Sequence, residues 1–433
     1  MEKVVEVCSR IEGHADIKIF FNNEQIKYIK LDTSVFRGFE TILKGKKLID
    51  IPKIVSRICG LCHASQTIAS CKTIENLYEV SPTPQAILLR KLLLSAELIK
   101  SHSMHFFFQT LPDLLNIFKL WNNSSEPYEI LQYDPQTTTL IYDLIKLGTK
   151  INEIFGGRVL HLITPIPGGI IYKPNQKNIS LTQKSLQKAL FNSQYLIKKF
   201  IDLFSDCKPP EDFNLDEISF LGLTNNGTYE RYNGELRLKQ VNSPLKDFTI
   251  NLYSNYFEKD DGILGIQFKT DIGENILTGP ISRFKINEKY NQEIIKDYIN
   301  NFDKQWKNSL LFWNFLQLIE IYSEINGCIE LLKDPKLNSS SSYPVLKNLN
   351  KKEGIAAIEA PRGTLIHYYH LNERNIVDNV KLYVPTELNM PLINKKITDY
   401  AHKLYEKEPI DSVMKKVQIM IRSFDPCISC ATH

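Results

Sequence analysis

Apolar and polar residues alternate along residues 3–8 and 15–31, as in Asp16-Ile17-Lys18-Ile19-Phe20-Phe21 and Ile26-Lys27-Tyr28-Ile29. Alternation in β-branched and aromatic residues turns one face to a core and one to water, so these stretches predict strands, with a turn at Asn22-Asn23. The period then lengthens. Pro52 suits the first turn of a short helix running into Cys59, and the chain reads as helical again from Thr67. From Pro84 to Phe118 apolar residues recur at Leu88, Leu92, Ala96 and Ile99, which is one face of a long helix. A break is expected near Pro112, because proline lacks the N–H that continues the ladder. Residues 137–155 and 182–206 predict two more helices. Residues 215–287 return to an aromatic, glycine-bearing alternation, as in Ile263-Leu264-Gly265-Ile266-Gln267-Phe268, and predict a β-rich lobe. Glu288 to Leu332 predicts two helices with a break. The serine-bearing stretch Leu337–Ser342 is polar, Gly354–Val384 is a second β segment, and a helix runs from about Leu392 to Leu404. Residues 408–426 form a tail leading to two terminal cysteines.

This pattern predicts an α+β fold, a central bundle of long helices with peripheral antiparallel sheets. The expected organisation is one unit over residues 1–433. Residues 1–80 hold the N-terminal sheet and a first cysteine pair, residues 81–214 and 288–336 the helical core, 215–287 the β-rich lobe, and 337–433 the C-terminal sheet and a second cysteine pair. Hydrophobic residues at 43% and charged residues at 24% are ordinary globular usage. A net charge of +4, from 53 basic and 49 acidic residues, argues against a nucleic-acid partner. No charged-then-apolar leader opens the chain and no apolar run is long enough to span a bilayer, so neither a secretory signal nor a membrane span of its own is expected; a partner could supply either.

The candidate chemistry lies in cysteine. Cys59 and Cys62 form one Cys-x-x-Cys pair and Cys427 and Cys430 another, 368 residues further on. Each such turn aims two sulfurs at one point, so two turns can give a soft metal four thiolates. A structural zinc site has the same ligand set. Against zinc stand the long separation, the place of the second pair at a chain end where termini fray, and the terminal His433. The remaining cysteines, Cys8, Cys71, Cys207 and Cys328, show no ferredoxin-like spacing and are expected to be free buried thiols. The chain is therefore expected to lack an electron relay of its own.

Arg57-Ile58-Cys59-Gly60-Leu61-Cys62 and Asp425-Pro426-Cys427-x-x-Cys430-x-x-His433 resemble the two signature motifs of the large, catalytic subunit of nickel–iron hydrogenases. Arg10-Ile11-Glu12-Gly13-His14, Arg37-Gly38-Phe39-Glu40, Pro167-Gly168-Gly169, Glu359-Ala360-Pro361-Arg362-Gly363 and Val384-Pro385-Thr386-x-x-Asn389 also match family motifs, in order, so the resemblance spans the chain. It implies the hydrogenase large-subunit fold and the oxidation of hydrogen to protons and electrons, or the reverse. It implies a nickel–iron centre bound by all four cysteines, with Cys62 and Cys430 also bridging to iron, and carbon monoxide and cyanide on the iron. Arg362 and Thr386 would face the cyanides, and Pro361, Leu365 and Val384 would complete the ligand pocket. Glu12 would relay protons, Asp425 would stand over the metals, and Glu40, the Leu382 carbonyl and His433 would hold magnesium. The implied partners are an iron–sulfur small subunit, further electron-transfer subunits, nickel-insertion proteins and a maturation protease that creates the His433 end. The chain is short for the family, which favours the cytoplasmic multimeric group, with membrane association only through partners.

Two departures bear on the site. Many members carry histidine four residues after the second N-terminal cysteine, where this chain has Gln66; many carry aspartate before the first histidine of the long helix, where it has Ser101. Leu162 also stands where proline is common. A hydrogen sensor or low-activity homologue would keep the same ligands, so the motifs alone leave that alternative open. An assembly protein that had lost the metal would lack the cysteines.

Overall fold

The structure, a computed structural model, describes residues 3–23, 25–33, 37–121, 134–241, 243–259, 267–268, 275–287, 289, 292–338, 346 and 349–433. The alternation at 263–266 and the serines at 339–342 lie outside the described residues. The architecture is mixed helix and sheet, as the sequence predicts, with small, mainly antiparallel sheets around long helices.

The N-terminal strands Lys3–Val7, Asp16–Asn22 and Gln25–Asp32 form an antiparallel sheet in sequential order. Ile17, Ile19, Ile29 and Leu31 point inward from its alternating pattern. Its third strand is tied to the far end of the chain: Ile29 N–H donates to Thr398 Oγ1 and Leu31 N–H to Asn394 Oδ1, both at 2.9 Å. Those acceptors sit on the helix Pro385–Tyr405. This helix starts seven residues before the expected Leu392 and carries Pro391 inside it. The tail, for which the sequence predicts no helix, contains one at Ile410–Ser423, with Val413, Met414, Val417, Met420 and Ile421 on its buried face.

The long helix Pro84–Met104 opens with the Thr83 hydroxyl accepting Ala86 N–H at 3.2 Å and Pro84 in the first turn. It gives way at His105–Thr110 to a π-helical segment, and Leu111–Ile117 resumes the α-helix. The break thus precedes Pro112, which sits harmlessly in the first turn of the following helix. The helix Phe312–Leu331 is buried nearly all round and packs against both Pro84–Met104 and Gln176–Phe204. Before it come Ile294–Asn300 and Lys304–Lys307, so the described residues of this region hold three helices rather than two.

A second set of strands runs through residues 219–277, with Ser219–Asn225 between Glu235–Lys239 and Ile276–Leu277. The C-terminal sheet is the meander Glu353–Ala360, Gly363–Leu371, Val377–Tyr383. Ala360 pairs with Gly363, so Pro361 and Arg362 are the two residues of a tight hairpin turn. Gly363 has φ 132°, and a Cβ there would lie 2.5 Å from Thr278 Oγ1, so only glycine lets the turn seat.

Arg283 joins these layers. Its guanidinium reaches Glu320 Oε1 at 2.6 Å, Glu359 Oε2 at 2.9 Å and the Pro361 carbonyl at 2.9 Å, with no exposed surface. Removing one member of a buried ion cluster strands the others, at a cost of about 3–5 kcal/mol. Arg283→Met is therefore expected to lower the melting temperature by several degrees in a thermal-shift scan. An unchanged melting temperature would show that the cluster contributes nothing.

Candidate metal centre

The two cysteine turns come from opposite ends of the chain and meet. Cys59 follows the short helix Ile51–Val55, with Leu61 N–H directed at its sulfur at 3.2 Å. Cys62 caps the helix His63–Tyr78. That helix is held from behind by Glu97, whose carboxylate accepts Ala64 N–H at 2.5 Å and Ser65 N–H at 3.0 Å. Cys427 caps the last helix, Ile428–Ala431, and its N–H donates to Thr386 Oγ1 at 2.8 Å.

Two motif residues join the turns. The Arg37 guanidinium donates to the carbonyls of Arg57 and Ile58 on one side and of Ser429 on the other, and Arg37 N–H donates to the Thr432 carbonyl at 2.7 Å. Glu12 accepts Ile428 N–H on its carbonyl at 3.0 Å and Ser429 N–H on Oε2 at 3.1 Å. The next residue, Gly13, has φ 85°, and a Cβ there would stand 2.9 Å from Ser429 N, so this close approach needs glycine.

All four sulfurs lie within 4.8 Å of one another and are buried. Cys62 and Cys430 approach to 2.8 Å, Cys59 and Cys427 to 3.4 Å, and Cys62 and Cys427 to 3.6 Å. No disulfide joins them. Burial pushes the Cys427 and Cys430 thiols well above the usual range; a cation among the sulfurs is what would favour their thiolate forms.

Beside this cluster is a small cavity. Cys62, Cys427 and Cys430 form one wall, and Ala360, Pro361, Leu365 and Pro385 supply apolar surface. Arg362, Thr386 and Gln66 supply polar atoms. Arg362 is held by Asp425: Nε donates to the Asp425 carbonyl and to Oδ1, both at 2.9 Å. Its Nη1 donates to Ser101 Oγ at 3.2 Å. Its Nη2 lies 2.9 Å from Asp425 Oδ1 but out of hydrogen-bonding alignment, so a buried donor is left over. Thr386 accepts through its oxygen, which leaves its proton free to donate. Gln66 Oε1 is 2.8 Å from His367 Nε2, and His367 Nδ1 is 2.8 Å from the Tyr369 hydroxyl. An amide oxygen only accepts, so Nε2 carries the histidine proton and Tyr369 donates to Nδ1. Asp425 Oδ2 is itself held by Gln317 Nε2 at 3.0 Å.

Four sulfurs alone would suit zinc as well as nickel or iron. The adjoining cavity separates the cases. A structural zinc site is closed by its four ligands, whereas here unspent donors and apolar walls surround a void on the Cys62–Cys430 side. The residues fit a thiolate-bound nickel–iron centre, with space left beside the sulfurs.

Glu12 lies against the other two sulfurs, Oε2 at 3.1 Å from Cys427 Sγ and Oε1 at 3.6 Å from Cys59 Sγ. Burial raises its pKa, with the Cys59 charge adding to the effect. Val384 is fully buried, but Pro385 rather than Val384 forms the cavity wall. Glu40, the Leu382 carbonyl and His433 do converge, as the motifs imply, but on the ammonium of Lys259. Carboxylate, carbonyl and imidazole donors gathered round one cation are a set that a partly hydrated magnesium ion also accepts. Sequence reasoning misses Lys259, Glu387, Glu97 and Pro385 as site residues. Only Glu97 carries a signal that could have found it, as the one acid in the long helix Pro84–Met104.

The sequence pattern of the nickel-dependent hydrogenase family matches residues 37–146 and 317–433, which contain all four cysteines. The chain is 28% identical to a subunit of the F420-non-reducing hydrogenase vhc of Methanococcus voltae, over 99% of this chain and 94% of that protein. It is 24% identical to the NAD-reducing hydrogenase HoxS subunit beta of Cupriavidus necator, with the same coverage. Its fold superposes on a crystal structure of an NAD+-reducing [NiFe]-hydrogenase in the H2-reduced state with a TM-score of 0.91, at 23% identity, over 100% of both chains. A buried four-sulfur cluster built from the two ends of the chain, inside a sequence pattern that spans the same ends, makes this protein a member of the nickel-dependent hydrogenase family.

Proposed function

We propose that this large subunit oxidises molecular hydrogen reversibly and passes the two electrons to an iron–sulfur small subunit. One observation carries the reading: the cavity between the Cys62–Cys430 sulfurs and the donors of Arg362 and Thr386. Cys59 and Cys427 would bind nickel alone, and Cys62 and Cys430 would bind both metals. When bound, the nickel–iron group supplies the heterolytic cleavage of hydrogen. Around it Arg362 and Thr386 present donors suited to cyanide nitrogens, and Leu365 and Pro361 present apolar surface suited to carbon monoxide. Asp425 fixes the Arg362 plane. Glu12 Oε2 is placed to take a proton from the Cys427 sulfur and hand it outward.

The electron acceptor must lie on a partner, since the cysteines outside the cluster, Cys8, Cys71, Cys207 and Cys328, are single thiols. Further electron-transfer subunits of the kind implied by an NAD-reducing relative extend the path. Nickel-insertion proteins and a maturation protease belong to the same reading, because a buried site must be loaded before its covering segment closes. No helix among the described residues is long and apolar enough to cross a membrane; the cytoplasmic placement rests on the resemblance to the short multimeric members.

Infrared spectroscopy with elemental analysis tests this. In the isolated large subunit, carbon monoxide and cyanide bands with nickel and iron in equal amounts are expected, and zinc without such bands would overturn the reading. Arg362→Lys keeps the charge but loses the planar fork. It is expected to retain both metals, shift the cyanide bands and lower turnover by about 100-fold, the upper range for lost supporting contacts at a metal site. Unchanged bands and turnover would remove Arg362 from the site.

A further inference from the structure

The helix His63–Tyr78 starts on a residue that does not cap it. A helix leaves its first N–H groups without partners of its own, and a Ser, Thr, Asp or Asn side chain at the cap position usually supplies an acceptor. Here that position is Cys62, whose sulfur is turned to Cys430 at 2.8 Å and makes no capping bond. The acceptor comes from another helix. Glu97, on Pro84–Met104, takes Ala64 N–H on Oε2 at 2.5 Å, and on Oε1 it takes Ser65 N–H at 3.0 Å together with the Ser65 hydroxyl. Glu97 is 2% exposed, so water does not compete for these donors. The C-terminal pair follows the same plan, with Ser429 N–H donating to Glu12 Oε2 at 3.1 Å just beyond Cys427. Glu12 reaches on to two sulfurs, whereas the hydrogen bonds of Glu97 go to the start of the helix.

We propose that Glu97 is a positioning residue of the metal centre: it seats the Cys59–Cys62 turn from the same helix that seats Arg362, and so fixes those two sulfurs against the guanidinium across the cavity. Glu97 and Ser101 lie four residues apart and share one face of Pro84–Met104. Ser101 Oγ accepts Arg362 Nη1 at 3.2 Å. One rigid element thus holds both a ligand turn and the guanidinium opposite it. The helix is itself pinned at this level. A Cβ at Gly148, on the helix Pro135–Gly156, would collide with the Ala96 carbonyl oxygen, so the two backbones meet closely right beside Glu97. The sulfurs follow the helix start. Cys62 is its cap residue, Gln66 N–H donates to the Cys62 carbonyl at 3.0 Å, and Leu61 N–H is directed at the Cys59 sulfur at 3.2 Å. A metal site tolerates displacements of only about 0.5 Å in its ligands. A helix start free to shift would loosen the nickel and move the Cys62 wall of the cavity relative to Arg362.

This role rests on the nickel–iron reading, and one set of measurements separates the two. In the large subunit isolated from its complex, nickel is assayed after dialysis, the carbon monoxide and cyanide bands are recorded, and the melting temperature is read. Glu97→Gln keeps the size but replaces one acceptor oxygen by an amide N–H donor, which cannot accept from the helix start. It is expected to displace the cyanide bands and to lower retained nickel about 10-fold, as for other lost supporting contacts at a metal site. Glu97→Asp keeps both oxygens one methylene short and is expected to lie between Glu97→Gln and wild type. Ser65→Ala removes one donor and is expected to move the bands the same way by less. Thr83→Ala is the control. It removes the cap at the far end of the same helix, and is expected to lower the melting temperature with bands and nickel unchanged. Wild-type bands and nickel in Glu97→Gln and Glu97→Asp, whatever their melting temperatures, overturn the proposal by leaving Glu97 a structural cap only. An equal band shift in Thr83→Ala overturns it too. If Glu97→Gln does not fold, Glu97→Asp and Ser65→Ala decide. A wild-type subunit without nickel or bands would overturn the hydrogenase reading and this role with it.

Discussion

Cys430→Ser is expected to leave a folded large subunit that by itself holds almost no nickel or iron, and a complex with no measurable hydrogen oxidation. Cys430 Sγ is 2.8 Å from Cys62 Sγ, so it belongs to the closest pair in the cluster, the pair we propose to be shared by two metals. A serine hydroxyl has nearly the same shape but a far higher pKa than a thiol and none of its softness, and soft thiolates are what hold nickel and iron in such sites. Loss of one shared ligand weakens both metals at once. Metal content should fall about 100-fold or more, beyond the 10–100-fold that follows loss of a supporting contact. Cys328→Ser is the control. Cys328 is equally buried, with its pKa pushed up to about 12 by burial, but it is a single thiol in the helix Phe312–Leu331. Its replacement should cost some stability and no metal. Elemental analysis of both variants reads the contrast. Full nickel and iron in Cys430→Ser, or equal loss in the two variants, would show that the cluster is not the ligand set.

The cysteine cluster is legible in the sequence because its chemistry is local. Each Cys-x-x-Cys turn sets two sulfurs by itself, and the flanking motifs give the order of elements around them. Arg37 and Glu12 show what those motifs accomplish: one guanidinium and one carboxylate hold two turns together across the chain. Strands are legible where alternation is clean, as at Ile17 and Ile19. Helix limits are less so where proline reads as a stop. Pro112 and Pro385 open helices, where the missing N–H costs nothing, and Pro391 sits inside one. The helix Ile410–Ser423 carries a 3–4 apolar spacing, but its many charged residues make it read as a tail. Lys259 is not legible at all. Its role depends on four acceptors from distant parts of the chain, and nothing around it in sequence distinguishes it from a solvated lysine. The Gln66 and Ser101 departures become interpretable only with partners in view. Gln66 is buttressed by His367 and Tyr369, and Ser101 accepts from Arg362, so both substitutions leave the cavity wall hydrogen-bonded.

Glu12→Gln is expected to leave metal content and the infrared bands close to wild type while lowering hydrogen–heavy water exchange by about 100-fold or more, within the range of a lost general acid–base group. The carboxylate stands between two sulfurs, 3.1 Å from Cys427 and 3.6 Å from Cys59, and is fixed from the other side by Ser429 N–H at 3.1 Å. Those contacts aim it at the sulfurs without tying up both oxygens, because Ser429 shares Oε2 and leaves Oε1 toward Cys59. Glu12 is also only partly buried, and the exposed His14 lies two residues on, so the carboxyl group is where the sealed cluster meets the outside. Glutamine keeps the length and can still accept from Ser429 through its oxygen. It cannot take up a proton and release it, so the structural role survives while the transfer does not. Glu12→Asp keeps the acid but withdraws it by one methylene from sulfurs now at contact distance, and should retain partial exchange. Mass-spectrometric isotope exchange on metal-replete variants makes the measurement. A ranking of wild type, then aspartate, then glutamine supports transfer through Glu12. Wild-type exchange in Glu12→Gln would mean that protons leave by another route, with His14 and Asp425 the next groups to replace.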